Sequence, residues 1–336
     1  MPAPNPAYAA TLYDKLDIVP GLLSIMGAGV YAAVAGPFRG SWGADTYKHH
    51  ITHALVRKMC ARFNTAQLQY LNPPFGVFYE KWCQANNITP EVVELKGNCK
   101  VFWMGDKSAK YTVIYFHGGG FSLDGDDTHI KYWNSIQKDL ASADKSVSFL
   151  FVEYTLVPHG TYPVQFQEGV EALSYVLNTV GKKPSEVILA GDSAGGNMSL
   201  ALLSHIMHPS PDAPEIKISE PLKALILVAP WVSFRTDWSS AKRNAHKDII
   251  VADMGKKWGM DYLAGKPSTP YAEALTAPTG WWKDAEKSVE GIISVCGTDE
   301  MLVDPIEEWV KVYKVSSPFH RTCINANNSR RMVIPI

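Results

Sequence analysis

The chain has 336 residues, 46% hydrophobic and 19% charged, with a formal net charge of −1. This is a globular composition long enough for a large core, with no global field to recruit nucleic acid or an acidic surface. Five scattered cysteines (60, 83, 99, 296 and 323) lack CxxC spacing, which argues against a disulfide framework or zinc cluster and for reduced thiols.

In chain order, residues 1–90 read as helices and loops, an N-terminal cap ahead of the main domain. Within them IVPGLLSIMGAGVYAAVAGPF (18–38) runs 21 residues without a charge. As a helix it would be about 31 Å long, enough to cross a bilayer core. Its four glycines, two prolines and many alanines make it only weakly apolar. A membrane-contacting segment, a buried or capping helix pair and a cleaved signal peptide all fit. If it spans, Arg39, Lys48, Arg57 and Lys58 favour a cytosolic main domain. The compartment is therefore either cytoplasmic or a membrane such as the endoplasmic reticulum. GAGVYA (27–32) imitates a dinucleotide fingerprint, but no strand precedes it and no acidic residue follows about twenty positions on. His49, His50 and His53 have metal-like helical spacing but no acidic neighbour in register, so a solvated amphipathic face is expected.

From about residue 91 the pattern becomes alternating strands and helices. EVVEL (91–95) and KVFWMG (100–105) read as a leading β pair. YTVIYF (111–116) and VSFLFVEY (147–154) are apolar, β-branched and aromatic, hence buried strands. Helices are expected at 127–143, 164–180 and 193–207, with strands at 185–191, 222–232 and 291–297. That alternation implies a mostly parallel sheet covered on both faces, an α/β class. Residues 233–289 interrupt it with a Trp-rich insertion, long for a connection and expected to be a lid or cap.

Two motifs carry chemistry. Gly191-Asp192-Ser193-Ala194-Gly195 is a GxSxG between a predicted strand and a predicted helix, the context of a nucleophile elbow. His117-Gly118-Gly119-Gly120 ends another strand. Bare amides there can meet the negative charge of an acyl-transfer oxyanion, joined by the N–H of Ala194. His117 is expected to brace the loop. Acyl transfer at Ser193 follows, with Gly118, Gly119, Gly120 and Ala194 as oxyanion donors.

HGGGF, EYTLVPHGTYP (153–163) and GDSAGGN together resemble the hormone-sensitive-lipase branch of the α/β-hydrolase esterases, fungal members in particular, over roughly residues 100–310. The middle segment is similar to that family's Y-R-L-A-P-E stretch, with Thr155 where Arg is usual and His159 where Glu is usual. The resemblance implies an α/β-hydrolase fold with a helical cap and metal-independent, cofactor-free hydrolysis of a small carboxylic ester. Its G-x-D-P-L-x-D pattern puts the triad acid at Asp299, with Asp304 the alternative. Asp304 also reads as an N-cap-like carboxylate for the following helix.

The family's histidine follows a further strand, and here only His320 is available, ahead of the strand-like MVIPI (332–336). His320 as the base, a truncated or divergent C-terminus lacking the last strand and helix, and a non-catalytic binder all remain open. Sequons at Asn87, Asn197 and Asn327 say little of secretion, since Asn197 should be buried in the nucleophile helix. Oligomeric state is left open.

Overall fold

A computed structural model describes residues 6–316 and 324–325; His320 and residues 332–336 lie outside the described residues. Eight strands form one sheet in the order β1-β2-β4-β3-β5-β6-β7-β8. They are β1 (Val92–Glu94), β2 (Lys100–Met104), β3 (Tyr111–Phe116), β4 (Val147–Glu153), β5 (Val187–Asp192), β6 (Ala224–Val228), β7 (Ile292–Cys296) and β8 (Ile324–Asn325). β2 pairs antiparallel with β1 and β4, and every other pairing is parallel. β4 is buried along its whole length and β3 at all but its first residue. Strands so enclosed must be apolar on both faces, which is why YTVIYF and VSFLFVE lack polar alternation. The expected leading β pair and mostly parallel sheet are both present. β8 was not foreseen.

The two sheet faces separate the helices. Ile114, Phe116, Leu150, Val152 and Leu189 pack in one core with α6 (Val164–Ser174), α7 (Ala194–Met207) and α10 (Val303–Ser316). Val113, Tyr115, Phe149 and Phe151 pack on the other side with α4 (Phe75–Ala85) and α5 (Asp127–Ser142). Helix α4, within residues 1–90, thus packs directly on the sheet. Its buried Phe75, Tyr79 and Cys83 lie against Phe102 and Phe151. The second face thins beyond β5, where Ile226, Val228, Ile293 and Val295 are only half-buried.

Helices α1 (Leu12–Ala35), α2 (Tyr47–Arg62) and α3 (Thr65–Leu71) precede α4 in the chain. The dinucleotide look-alike at 27–32 is simply the interior of α1. α8 (Ser239–Arg243) and α9 (Ala252–Leu263) belong to the 233–289 insertion. The solvated face expected for the α2 histidines holds at exposed His49 and is corrected at His50 and His53. His50 is buried beside Trp42, and burial pushes its pKa down. His53 Nδ1 donates to the carbonyl of Lys247 at 2.6 Å. Tertiary partners take the place of the acidic neighbours missing from the helix itself. Among the described residues no cluster of metal-ligating side chains occurs.

Candidate active site

Ser193 stands at the turn from β5 into α7 with φ 48° and ψ −112°. A side chain in that region costs about 1–3 kcal/mol and persists only where neighbours hold it. Here the Ser193 N–H donates to Val228 O (2.9 Å), and its carbonyl accepts from Trp231 and Asn197 N–H groups at 2.9 and 3.0 Å. The Ser193 side chain makes no capping hydrogen bond to α7. The Ala194 amide begins α7, at the positive end of that helix. Asn197 is buried, and its Nδ2 donates to Trp231 O and Ala272 O, so the central sequon is enclosed as expected.

The glycine loop follows β3 and faces this turn. Gly119 and Gly120 have φ of 107° and 59°, backbone states that only glycine adopts freely. A Cβ on Gly120 would lie 2.2 Å from the Trp258 ring. Among the described residues, no hydrogen bond takes up the amides of Gly119, Gly120 or Ala194. Gly118 differs: its N–H donates to Asp192 Oδ1 at 2.8 Å. In this geometry the Gly118 amide is already engaged and anchors the loop to Asp192. His117 braces the loop as expected, stacked on Tyr154 at 4.2 Å with Nδ1 at 2.7 Å from Gly118 O. Complete burial pushes its pKa down to about 4, so it is neutral.

A polar network under the loop was not read from the sequence. Besides the Gly118 amide, Asp192 Oδ1 accepts from the Tyr115 hydroxyl and lies 3.8 Å from His129 Nε2. His129 Nδ1 is 3.0 Å from Asp126 Oδ1. Burial alone would lower the His129 pKa, but the two carboxylates override it and raise it to about 10. Burial likewise opposes the charge on Asp192, yet His129 and Tyr115 keep its pKa below the ordinary value. The Asp126 N–H also donates to His129 Nδ1 at 3.0 Å, so backbone and carboxylates together hold the ring in this network. Its partners lie at separations of 3 and 63 residues, too irregular to form a motif.

The loop after β7 forms another wall. Asp299 Oδ1 is 2.8 Å from Lys247 Nζ. Asp304 lies in the first turn of α10 but serves a different helix: it accepts from Ser240 N–H at the start of α8 and pairs with Arg243. That structural role explains the second aspartate. No histidine among the described residues is hydrogen-bonded or ion-paired to Ser193 or Asp299. Ser193, Gly120, Trp231, Trp258, Met301 and Leu302 line a narrow, mainly apolar cavity. Of the insertion's tryptophans only Trp258 reaches this cavity. Trp282 packs on Trp309 and Tyr313 in the body, as ordinary core.

Residues 113–314, from β3 into α10, match a family described as alpha/beta hydrolase fold. The chain belongs to that family. The chain is 30% identical over 148 residues to an esterase of Acinetobacter venetianus, covering 43% of each chain. It is 25% identical over 172 residues to human arylacetamide deacetylase-like 2, covering 49% of this chain and 41% of that one. The chain spans 38% to 58% of the length of the curated relatives it matches. A solved esterase of the bacterial hormone-sensitive lipase family shares the fold at 21% identity and TM-score 0.57, covering 88% of this chain and 84% of that one.

Two departures in this α/β hydrolase's middle segment have local partners. The Thr155 N–H and Oγ1 donate to Glu168 at 2.7 and 2.6 Å, and burial raises the Glu168 pKa to about 7. His159 Nε2 is 3.2 Å from Gln69 Oε1 of α3, tying the cap to the loop.

Proposed function

We propose that this chain is a serine carboxylesterase. The observation that carries the reading is the strained Ser193 turn, which faces the Gly120 end of the glycine loop across one apolar cavity. Ser193 Oγ attacks the ester carbonyl, and its proton passes to a base. The carbonyl oxygen becomes an oxyanion held by the Gly119, Gly120 and Ala194 amides. Collapse releases the alcohol and leaves an acyl-Ser193 ester, which water cleaves to the acid. His320 is the base in this scheme and Asp299 its orienting acid. Relatives named esterase, acetyl-hydrolase and deacetylase support the same chemistry.

The test is labelling by a fluorophosphonate probe together with p-nitrophenyl butyrate turnover. Both should vanish in Ser193→Ala, and turnover surviving that change rejects the reading. A second reading, a ligand-binding relative without turnover, is favoured by one observation: Asp299 is paired with Lys247 and not with a histidine. Slow labelling with no turnover in the unmodified protein would select it. Loss of turnover in His320→Ala, with labelling sharply slowed, would select the enzyme.

A further inference from the structure

Helix α1 is apolar on two sides, and the described structure uses one of them. Its inner side is built from Ile18, Gly21, Gly29 and Ala32, all buried. Added side chains at Gly21 and Gly29 would strike Phe63 and Leu55, so small residues there allow close packing on α2. On the opposite side, Leu12, Leu16, Val19, Leu23, Met26 and Val30 recur at steps of three and four and are 62% to 74% exposed. Tyr13 and Tyr31, about five turns apart on one flank of this stripe, are exposed as well. A continuous apolar stripe of this length on a surface is a contact site.

We propose that the outer face of α1 docks on a lipid bilayer, with the helix lying in the plane of the surface and not crossing it. Residues Leu12–Phe38 are long and apolar enough to cross. Crossing, however, would carry α2 into hydrocarbon. That helix has Lys48, Arg57, Lys58 and Arg62 and no acidic residue. Arg62 is joined to Asp17 of α1 by two hydrogen bonds at 2.6 and 2.7 Å. α2 is itself tied to the body through His53 and Arg57, which donate to the carbonyls of Lys247 and Asp248. Charged groups are excluded from the bilayer centre. Lying flat, α1 buries its aliphatic stripe at the acyl boundary, sets Tyr13 and Tyr31 at headgroup level, and leaves basic α2 on the water side for anionic lipid. The inference uses no residue of the site, so it stands or falls separately from the ester reading.

The experiment is flotation of the purified full chain with phosphatidylcholine vesicles, with and without phosphatidylserine. The unmodified protein should float, more strongly with phosphatidylserine. Leu23→Glu/Met26→Glu should reduce partitioning by about tenfold or more, with an unchanged melting temperature. Lys48→Glu/Lys58→Glu should remove only the phosphatidylserine increment. Failure of the unmodified protein to float, or undiminished flotation of the double glutamate variant, overturns the proposal. A lipid-free dimer that the glutamates dissociate would assign the face to a second copy and also overturn it. Alkaline carbonate should release the protein from vesicles; retention would mean that α1 spans.

Discussion

A methyl group added at Gly195 would lie 1.8 Å from the carbonyl oxygen of Phe116, where only backbone could yield. Gly195→Ala should therefore cost about 3 kcal/mol or more, read as a fallen denaturant midpoint. Gly120→Ala meets the Trp258 ring and a positive φ, so it should lower kcat at least tenfold while the chain still folds. Both glycines announce themselves in sequence because the need for a bare backbone is local. The network around Asp192 does not, since Tyr115, Gly118 and His129 meet it only once the sheet has formed. His129 gives that network a pH signature. Its folded pKa, about 10, is raised above the ordinary value of 6.5. Its contribution is then complete below pH 6.5 and is lost as pH climbs towards 10. Thermal melts of His129→Gln should be flatter than those of the unmodified protein across that interval. Equal slopes would remove His129 from the account.

At the scale of elements, α2 acts as a strut. His53 and Arg57 hold the carbonyls of Lys247 and Asp248, while the Lys247 ammonium pairs with Asp299 and the Asp248 carboxylate accepts the Met301 N–H. Ile250 and Met301 of these two loops line the Ser193 cavity. His53→Ala should cost only about 1 kcal/mol of stability yet lower kcat several-fold through a loosened acid loop. A changed KM with unchanged kcat would instead place the strut's effect on substrate entry. None of this was legible in the α2 sequence, where helical register shows a histidine's own-helix neighbours and nothing of the insertion it meets. The glycines and alanines of α1 misled differently. They dilute its apolar character in the sequence, but in the fold Gly21, Gly29 and Ala32 sit on the inner side and leave large aliphatics outside.

At the scale of the molecule, most strand positions, the mostly parallel sheet and the strand-to-helix turn at Ser193 were legible, because buried parallel strands and glycine turns have strong local signatures. The base was not. Its candidate, His320, lies outside the described residues, and Asp299 is already engaged by Lys247. The exposed stripe of α1 and the half-buried β6–β7 face share a calorimetric consequence. Their apolar surface is already hydrated in the native state, so unfolding exposes less new hydrocarbon than a fully enclosed chain would. The heat-capacity increment should fall below the usual value of about 12–15 cal/mol/K per residue, giving a flatter stability curve. Transfer onto vesicles should show the missing part as a negative heat-capacity change.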